Sequence, residues 1–188
     1  MRVIAGTARS LRLKTPEGMD TRPTTDRIKE TLFNMLQPYL GDALFVDLFS
    51  GSGGIGIEAL SRGAGKAYFV ENASKAISCI QQNLLFTKMQ DRAIVLKQEV
   101  CSALCAIRDR RLEERVDIIF MDPPYNGGYE TTVLAALGEM PYVTGETMII
   151  IETSINAELA ELSQFGFALT REKCYKTNKH IFLKRISI

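Results

Sequence analysis

Apolar residues recur along the chain with two different periods, and the alternation between them predicts an α/β fold. In "TTDRIKETLFNMLQPYL" the positions Ile28, Leu32, Met35, Leu36 and Tyr39 fall at helical spacing, with Thr25 or Asp26 able to cap the start. Apolar runs then follow at 44–48, 67–71, 93–97, 116–122, 147–152, 167–172 and 180–186. Near-continuous runs of this length suit strands covered on both faces. Between the first five lie "IGIEALSRG", "SKAISCIQQNLLF", "CSALCAIRDRR" and "YETTVLAALGEM", each readable as a helix. Strand and helix in turn predict a doubly wound, mostly parallel seven-stranded sheet. The short "KCYKTNK" link predicts that the last two strands pair antiparallel at one edge. The opening stretch, "MRVIAGTARSLRLK", reads as a hairpin ahead of that core. No repeat, low-complexity tract or linker divides the chain, so a single domain is expected: a hairpin extension at 1–20, a helix at 21–40 and a core at 41–188.

Composition narrows the class. With 188 residues, 46% hydrophobic and 24% charged, the chain suits one soluble globular unit. Its N-terminus carries scattered arginines and no long apolar stretch, which predicts neither a signal peptide nor a membrane span and points to the cytoplasm. Cys79, Cys101, Cys105 and Cys174 form no C-x-x-C pair and are expected to stay reduced. Cys101 and Cys105 share a helix face, but with one histidine in the chain they read as buried small hydrophobes, and no metal is expected.

The net charge of +1 hides an asymmetry. Residues 1–37 carry seven Lys or Arg against four acids, residues 38–170 ten against seventeen, and residues 171–188 six against one. Basic ends around an acidic middle are the footprint expected if both ends lie together beside a pocket and grip a polyanion. The competing reading is that these side chains solubilise edge strands.

Candidate chemistry concentrates in two stretches. "DLFSGSGGIGIEAL", residues 47–60, runs strand, glycine-rich turn, helix, the context in which a glycine pattern implies a ligand. Gly51, Gly53 and Gly56 satisfy G-x-G-x-x-G, so a nicotinamide oxidoreductase is a rival reading. Glu71 ends the second strand, where a carboxylate can accept both hydroxyls of an adenosine ribose, and Glu99 follows the third, within reach of an adenine amino group. Asp47 adds a third acid to the same rim. The turn has no Lys or Arg to neutralise a pyrophosphate, and an acid stands just before it. That favours a cationic adenosine derivative, S-adenosylmethionine, over a dinucleotide.

The second stretch is "DPPYNGGY", residues 122–129, after the apolar run "VDIIF". An exocyclic amino group on a base is a poor nucleophile because its lone pair is delocalised. If the Asp122 carboxylate and the Pro123 carbonyl accept its two hydrogens, the lone pair is aimed at a sulfonium methyl. Pro123 and Pro124 fix φ near about −65° and bring no N–H to compete. Tyr125 offers a face for the flat base. Asp122 is also a candidate for the released proton, although a carboxylate with the ordinary pKa of roughly 4 is a weak base and water is the alternative. Gly127 and Gly128 beside the site give Tyr129 and its loop room or freedom to move.

Together, "DLFSGSGGIGIEALSRGA", Glu71 and "MDPPY" resemble a class I S-adenosylmethionine-dependent methyltransferase of the amino-methylating kind. More narrowly, "MRVIAGTARSLRLKTPEG" and "TRPTTDRIKETLFNML" resemble the RsmD family, the small-subunit ribosomal RNA guanine-N2 methyltransferases, over nearly the whole chain. The resemblance implies a Rossmann-like class I methyltransferase fold with an antiparallel edge strand and an N-terminal RNA-binding hairpin extension. It implies S-adenosylmethionine as cofactor, S-adenosylhomocysteine as product, and 16S rRNA, free or within a small subunit or assembly intermediate, as partner of a monomeric enzyme. Carried over by position, it puts Asp47, Phe49, Gly51 and Gly53 at the cofactor's methionine end, Glu71 and Asn72 at its ribose, Glu99 and Val100 near its adenine, and Asp122 to Tyr125 at the reacting base. Arg2, Arg9, Arg12, Lys14, Arg22, Thr24, Arg27 and Tyr129 become candidates for the RNA. Two departures stand out: Ser10 replaces a frequent glycine, and "YKTNKH" replaces a glycine-containing turn.

The alternatives within the chemistry are a DNA adenine-N6 or a protein glutamine-N5 methyltransferase. Outside it stand an NAD-dependent oxidoreductase, disfavoured by Asp47 and by the want of a placed histidine, and a non-catalytic RNA-binding assembly factor.

Overall fold

The computed structural model describes residues 1–16, 25–109, 115–124, 128–159 and 162–186. Its centre is one seven-stranded sheet. In chain order the strands are β1 (Leu44–Leu48), β2 (Lys66–Glu71), β3 (Ala93–Lys97), β4 (Ile118–Met121), β5 (Met148–Ser154), β6 (Phe167–Cys174) and β7 (Asn178–Arg185). Across the sheet they run β3-β2-β1-β4-β5-β7-β6. The first five are parallel, while β7 is antiparallel to both β5 and β6. The antiparallel pair therefore lies at one edge, with β7 inserted between β5 and β6.

Five helices cover the two faces: α1 (Asp26–Leu36), α2 (Gly54–Ser61), α3 (Ser74–Thr87), α4 (Val100–Asp109) and α5 (Tyr129–Gly138). Side chains alternate across a strand, so each strand supplies both cores. Phe45, Phe69, Phe120, Ile150 and Phe182 pack with Leu32, Phe33 and Leu36 of α1, Ile57 of α2 and Ile80 of α3. Their neighbours Val46, Val70, Met121, Ile151 and Leu183 pack with Leu104 of α4 and Leu134 and Leu137 of α5 on the other side. This is why the central strands read as unbroken apolar runs.

Thr25 caps α1, its hydroxyl accepting from the Ile28 N–H at 3.4 Å. Leu32 and Leu36 are fully buried as the periodicity predicts, but Tyr39 is exposed, because the helix tightens into a 3₁₀ turn at Gln37–Tyr39 and loses the phase. The strand expected at 116–122 is shorter, Ile118–Met121, and just before it the Asp117 carboxylate accepts from the Leu44 N–H at 2.9 Å.

The opening stretch folds back on itself, with Arg2 opposite Arg12 in an antiparallel bridge and Val3, Ala8 and Leu13 buried beneath. Ser10 holds φ +69°, the left-handed conformation that glycine adopts at least cost. The β6–β7 turn closes through a Tyr175 N–H to Asn178 C=O bond of 2.8 Å. Among the described residues it contains no positive φ, so it has no need of glycine. The hairpin is tied to α2 and α3: Ser61 Oγ takes the Ala8 N–H, and the Asn83 side chain both accepts from the Lys14 N–H and donates to the Lys14 carbonyl. The arm is fastened to α2 and α3, while the basic C-terminal residues ride on β6 and β7, at the opposite edge of the sheet from β3.

Among the described residues no helix is long and apolar enough to cross a membrane. No group of three or more metal-ligating side chains occurs among them either. Cys101 and Cys105 are only half-buried, Cys79 is buried, and Cys174 is exposed.

Candidate active site

The carboxyl ends of β1, β2, β4 and β5 meet at one rim, where ligands of open α/β sheets bind. The glycine-rich turn after β1 forms its first wall. Gly51 and Gly53 have φ +53° and +77°, and a Cβ added at Gly51 meets nothing within 4 Å, so its backbone faces open space that a ligand can approach. Phe49, just before them, also has a positive φ of +62°. That conformation is costly for a bulky residue and is typical of functional sites. Its ring meets Tyr129 edge to face at 5.7 Å, linking the approach to the turn with the start of α5. Gly128, with φ +63°, provides the N-cap there. Tyr129 is 42% exposed.

Glu71, partly exposed at the end of β2, braces this wall. One carboxylate oxygen accepts from the Gly51 N–H at 2.9 Å, and the other from the Asn72 and Ala73 N–H groups. Asn72 donates from its side chain to Glu99, which is exposed after β3, while Val100 opens α4 and is buried. Glu71, Asn72 and Glu99 thus form one polar string along the rim. Asn83 reaches in from α3, donating to the Ser52 carbonyl, so the same side chain holds both the glycine turn and the N-terminal arm.

Asp47 departs from the expectation of a rim acid. It is 1% exposed, and its carboxylate accepts from the Gly56 N–H of α2 at 2.9 Å. Burial pushes its pKa up to about 7, against the opposing Gly56 hydrogen bond and with a further contribution from Glu71. It lies beneath the turn because its position in β1 has the same phase as Phe45, on the face that α2 covers.

Asp122 follows β4 directly and is half-buried; Pro123 is buried and Pro124 exposed. Burial raises the Asp122 pKa well above the usual carboxylate range, with further contributions from Glu152 and Asp47. Tyr125, Arg22 and Thr24 lie outside the described residues. Arg2, Arg9, Arg12, Lys14 and Arg27 are exposed, with Arg2 paired to Asp26 at 2.7 Å and Lys14 bonded to Gln82.

The structure adds residues that pattern reading missed. Glu152 on β5 is 4% exposed and accepts from Asn178 Nδ2 at 2.6 Å. Its other oxygen lies 3.0 Å from Nε2 of His180, which is fully buried on β7. The Nδ1 of His180 lies 3.1 Å from the Tyr175 hydroxyl. The chain's one histidine is therefore placed behind the motif that carries Asp122. One signal was available: Glu152 ends its apolar run as Asp122 ends its own.

An acid-rich rim beside a tight turn that contains no cation fits a ligand carrying positive charge, and the open side of Gly51 fits a close approach. Sulfonium and amino groups of S-adenosylmethionine meet both conditions. A family model described as "Conserved hypothetical protein 95" matches residues 1–184. The YlbH protein of Bacillus subtilis is 38% identical over 186 residues, covering 98% of this chain and 100% of the relative. The ribosomal RNA small subunit methyltransferase D of Haemophilus influenzae is 33% identical, covering 92% of this chain and 88% of the relative. The solved structure of yhhF from Escherichia coli superposes with a TM-score of 0.81 at 30% identity, covering 100% of this chain and 99% of that one. With the sheet order, the glycine turn and the Asp-Pro-Pro motif already in place, these matches show that the chain belongs to the RsmD family of methyltransferases.

Proposed function

We propose that this chain transfers a methyl group from S-adenosylmethionine to the exocyclic N2 amino group of a guanine in 16S ribosomal RNA. The observation that carries the reading is the set of acids at the strand ends: Glu71 braces the glycine turn, Asp122 follows β4, Glu152 stands beside it in register on β5, and Asp47 lies buried beneath the turn. The glycine turn and Glu71 hold the donor, which supplies an electrophilic methyl carbon when bound. Asp122 and the Pro123 carbonyl accept the hydrogens of the amine and aim its lone pair, and the buried floor excludes water. The small-subunit rRNA substrate rests on the name of the H. influenzae relative, and the exposed Arg2, Arg9, Arg12, Lys14 and Arg27 suit a phosphate backbone. A dinucleotide pyrophosphate is poorly matched, since buried Asp47 already takes the helix N–H at Gly56.

Nucleoside mass spectrometry of 16S rRNA from cells with and without the protein tests this. N2-methylguanine is expected to fall in the deletion and return on complementation. Loss of N6-methyladenine with N2-methylguanine untouched would overturn the substrate assignment.

A further inference from the structure

Glu152 and His180 occupy a telling place in the sheet. Met121 of β4 pairs with Ile151 of β5, so Asp122 and Glu152 are each the next residue in register. Glu152 pairs with His180 across β5 and β7, and His180 pairs with Lys173 across β7 and β6. Residues opposite one another in a sheet project from the same face. Asp122, Glu152, His180 and Lys173 thus form one cross-strand row, two acids followed by two bases, from the reacting centre to the sheet edge. The face is settled by neighbours of the same phase: Phe120, Ile150 and Phe182 belong to the α1 side, and the Phe120 and His180 rings meet edge to face at 6.2 Å.

We propose that Glu152 and His180 are positioning residues of the same site: His180 fixes the Glu152 carboxylate beside Asp122, and that arrangement makes Asp122 the acceptor of the proton released by methyl transfer. The inference rests on the proposed methyl transfer and adds the destination of the proton. When the amine nitrogen forms its bond to the methyl carbon, the carbon–sulfur pair stays on sulfur and the nitrogen gains a positive charge. One N–H proton then passes to the Asp122 carboxylate, leaving a neutral secondary amine and a carboxylic acid, which yields the proton to water once the product leaves. On transfer the positive charge passes from sulfur to the amine nitrogen beside Asp122, so the acidified N–H meets a carboxylate whose attraction for a proton is raised by burial and by its neighbours Glu152 and Asp47.

The groups bearing on this row come from four strands and one turn. Asp47 acts from β1, Glu152 from β5, and His180 from β7, with Lys173 from β6 at the outer end and Tyr175 from the β6–β7 turn. Tyr175, its pKa pushed up to about 12 by burial and then by Glu152, keeps its proton and stays a neutral partner for His180. Asn178 donates to the other Glu152 oxygen at 2.6 Å, so both carboxylate oxygens are held in place.

Carboxyl ¹³C NMR titration of the free protein, with the Asp122 signal assigned by its loss in Asp122→Asn, tests the pairing without any need for activity. In the wild type the Asp122 midpoint is expected above the ordinary carboxylate range, and in Glu152→Gln it is expected to fall by about one pH unit. A wild-type midpoint near that of a free aspartate overturns the inference even if the variant fails to fold, and so does a midpoint that Glu152→Gln leaves unmoved. The acidic limb of the single-turnover rate, measured at saturating S-adenosylmethionine, should move the same way in Glu152→Gln; a fixed limb removes Asp122 as proton acceptor. A wild-type chain that methylates no rRNA overturns the proposed function but not the charge pairing, which the NMR midpoints read alone.

Discussion

Two buried groups of charge sit on the same face of this sheet and are built on opposite terms. Under the N-terminal arm, Glu58 is fully buried, and each of its oxygens receives one backbone N–H and one cation: Ala5 and Arg62 at 3.0 and 2.8 Å, Ile4 and Lys29 at 2.8 and 3.2 Å. Lys29, also fully buried, donates in addition to the Arg2 carbonyl. Burial lowers the Lys29 pKa, and Glu58 opposes that change. At the strand ends, by contrast, Asp47 has one backbone N–H, and the strongest charged neighbours of Asp122 are other carboxylates. The first cluster is satisfied and fastens the arm. The second, among the described residues, sets Asp122 beside other carboxylates, as suits a site that receives a cationic ligand.

The sharpest break of that contrast is Glu58→Ala. It strands Lys29, Arg62 and two N–H groups at once, and should cost about 3–5 kcal/mol in urea unfolding. Asp122→Ala should do the reverse, lowering methyl transfer to rRNA by about 10²- to 10³-fold while the unfolding midpoint holds, since it removes an uncompensated charge. Retained transfer in that variant would take Asp122 out of the chemistry.

Asp47 supplies the pH test. Its folded pKa is raised, from 3.8 to about 7, so it favours the folded state fully below about pH 4, and that contribution is lost as pH rises through 7. Wild-type stability should therefore fall by about 3–4 kcal/mol relative to Asp47→Asn between pH 4 and pH 8, because a pKa that differs by one pH unit between folded and unfolded chains corresponds to about 1.36 kcal/mol. Parallel stability curves for the two proteins would refute the buried titration. The smallest effect concerns the arm's outer face. Arg9→Ala and Arg12→Ala should leave stability alone and each reduce the salt slope of RNA filter binding by about 0.7. An unchanged slope would remove the hairpin from the RNA interface.

Much of the fold was legible because its signals are local. Apolar runs located all seven strands, the periodicity of Leu32 and Leu36 located α1, and "DLFSGSGG" read correctly as strand, turn and helix. The site was legible only where a motif is contiguous. Asp122 and the glycine turn announced themselves, but Glu152 and His180 stand far apart in sequence, and nothing local marks them as partners. Lys29 was invisible for the same reason: a lysine at helical spacing reads as solvent-facing until Glu58 is brought to it from α2. Asp47 was found but its burial was not, since a strand-end acid looks exposed until α2 covers it.

The sequence alone therefore determined the order of elements, the doubly wound architecture, the family resemblance, and the two candidate motifs at the strand ends. These depend on neighbours within a few residues, where periodicity and backbone preference operate. Only the tertiary structure decided which charges are satisfied and which are held ready. Pairing of a buried charge depends on strand register and on what covers it, and both are set when β5 meets β7 and α2 closes over β1.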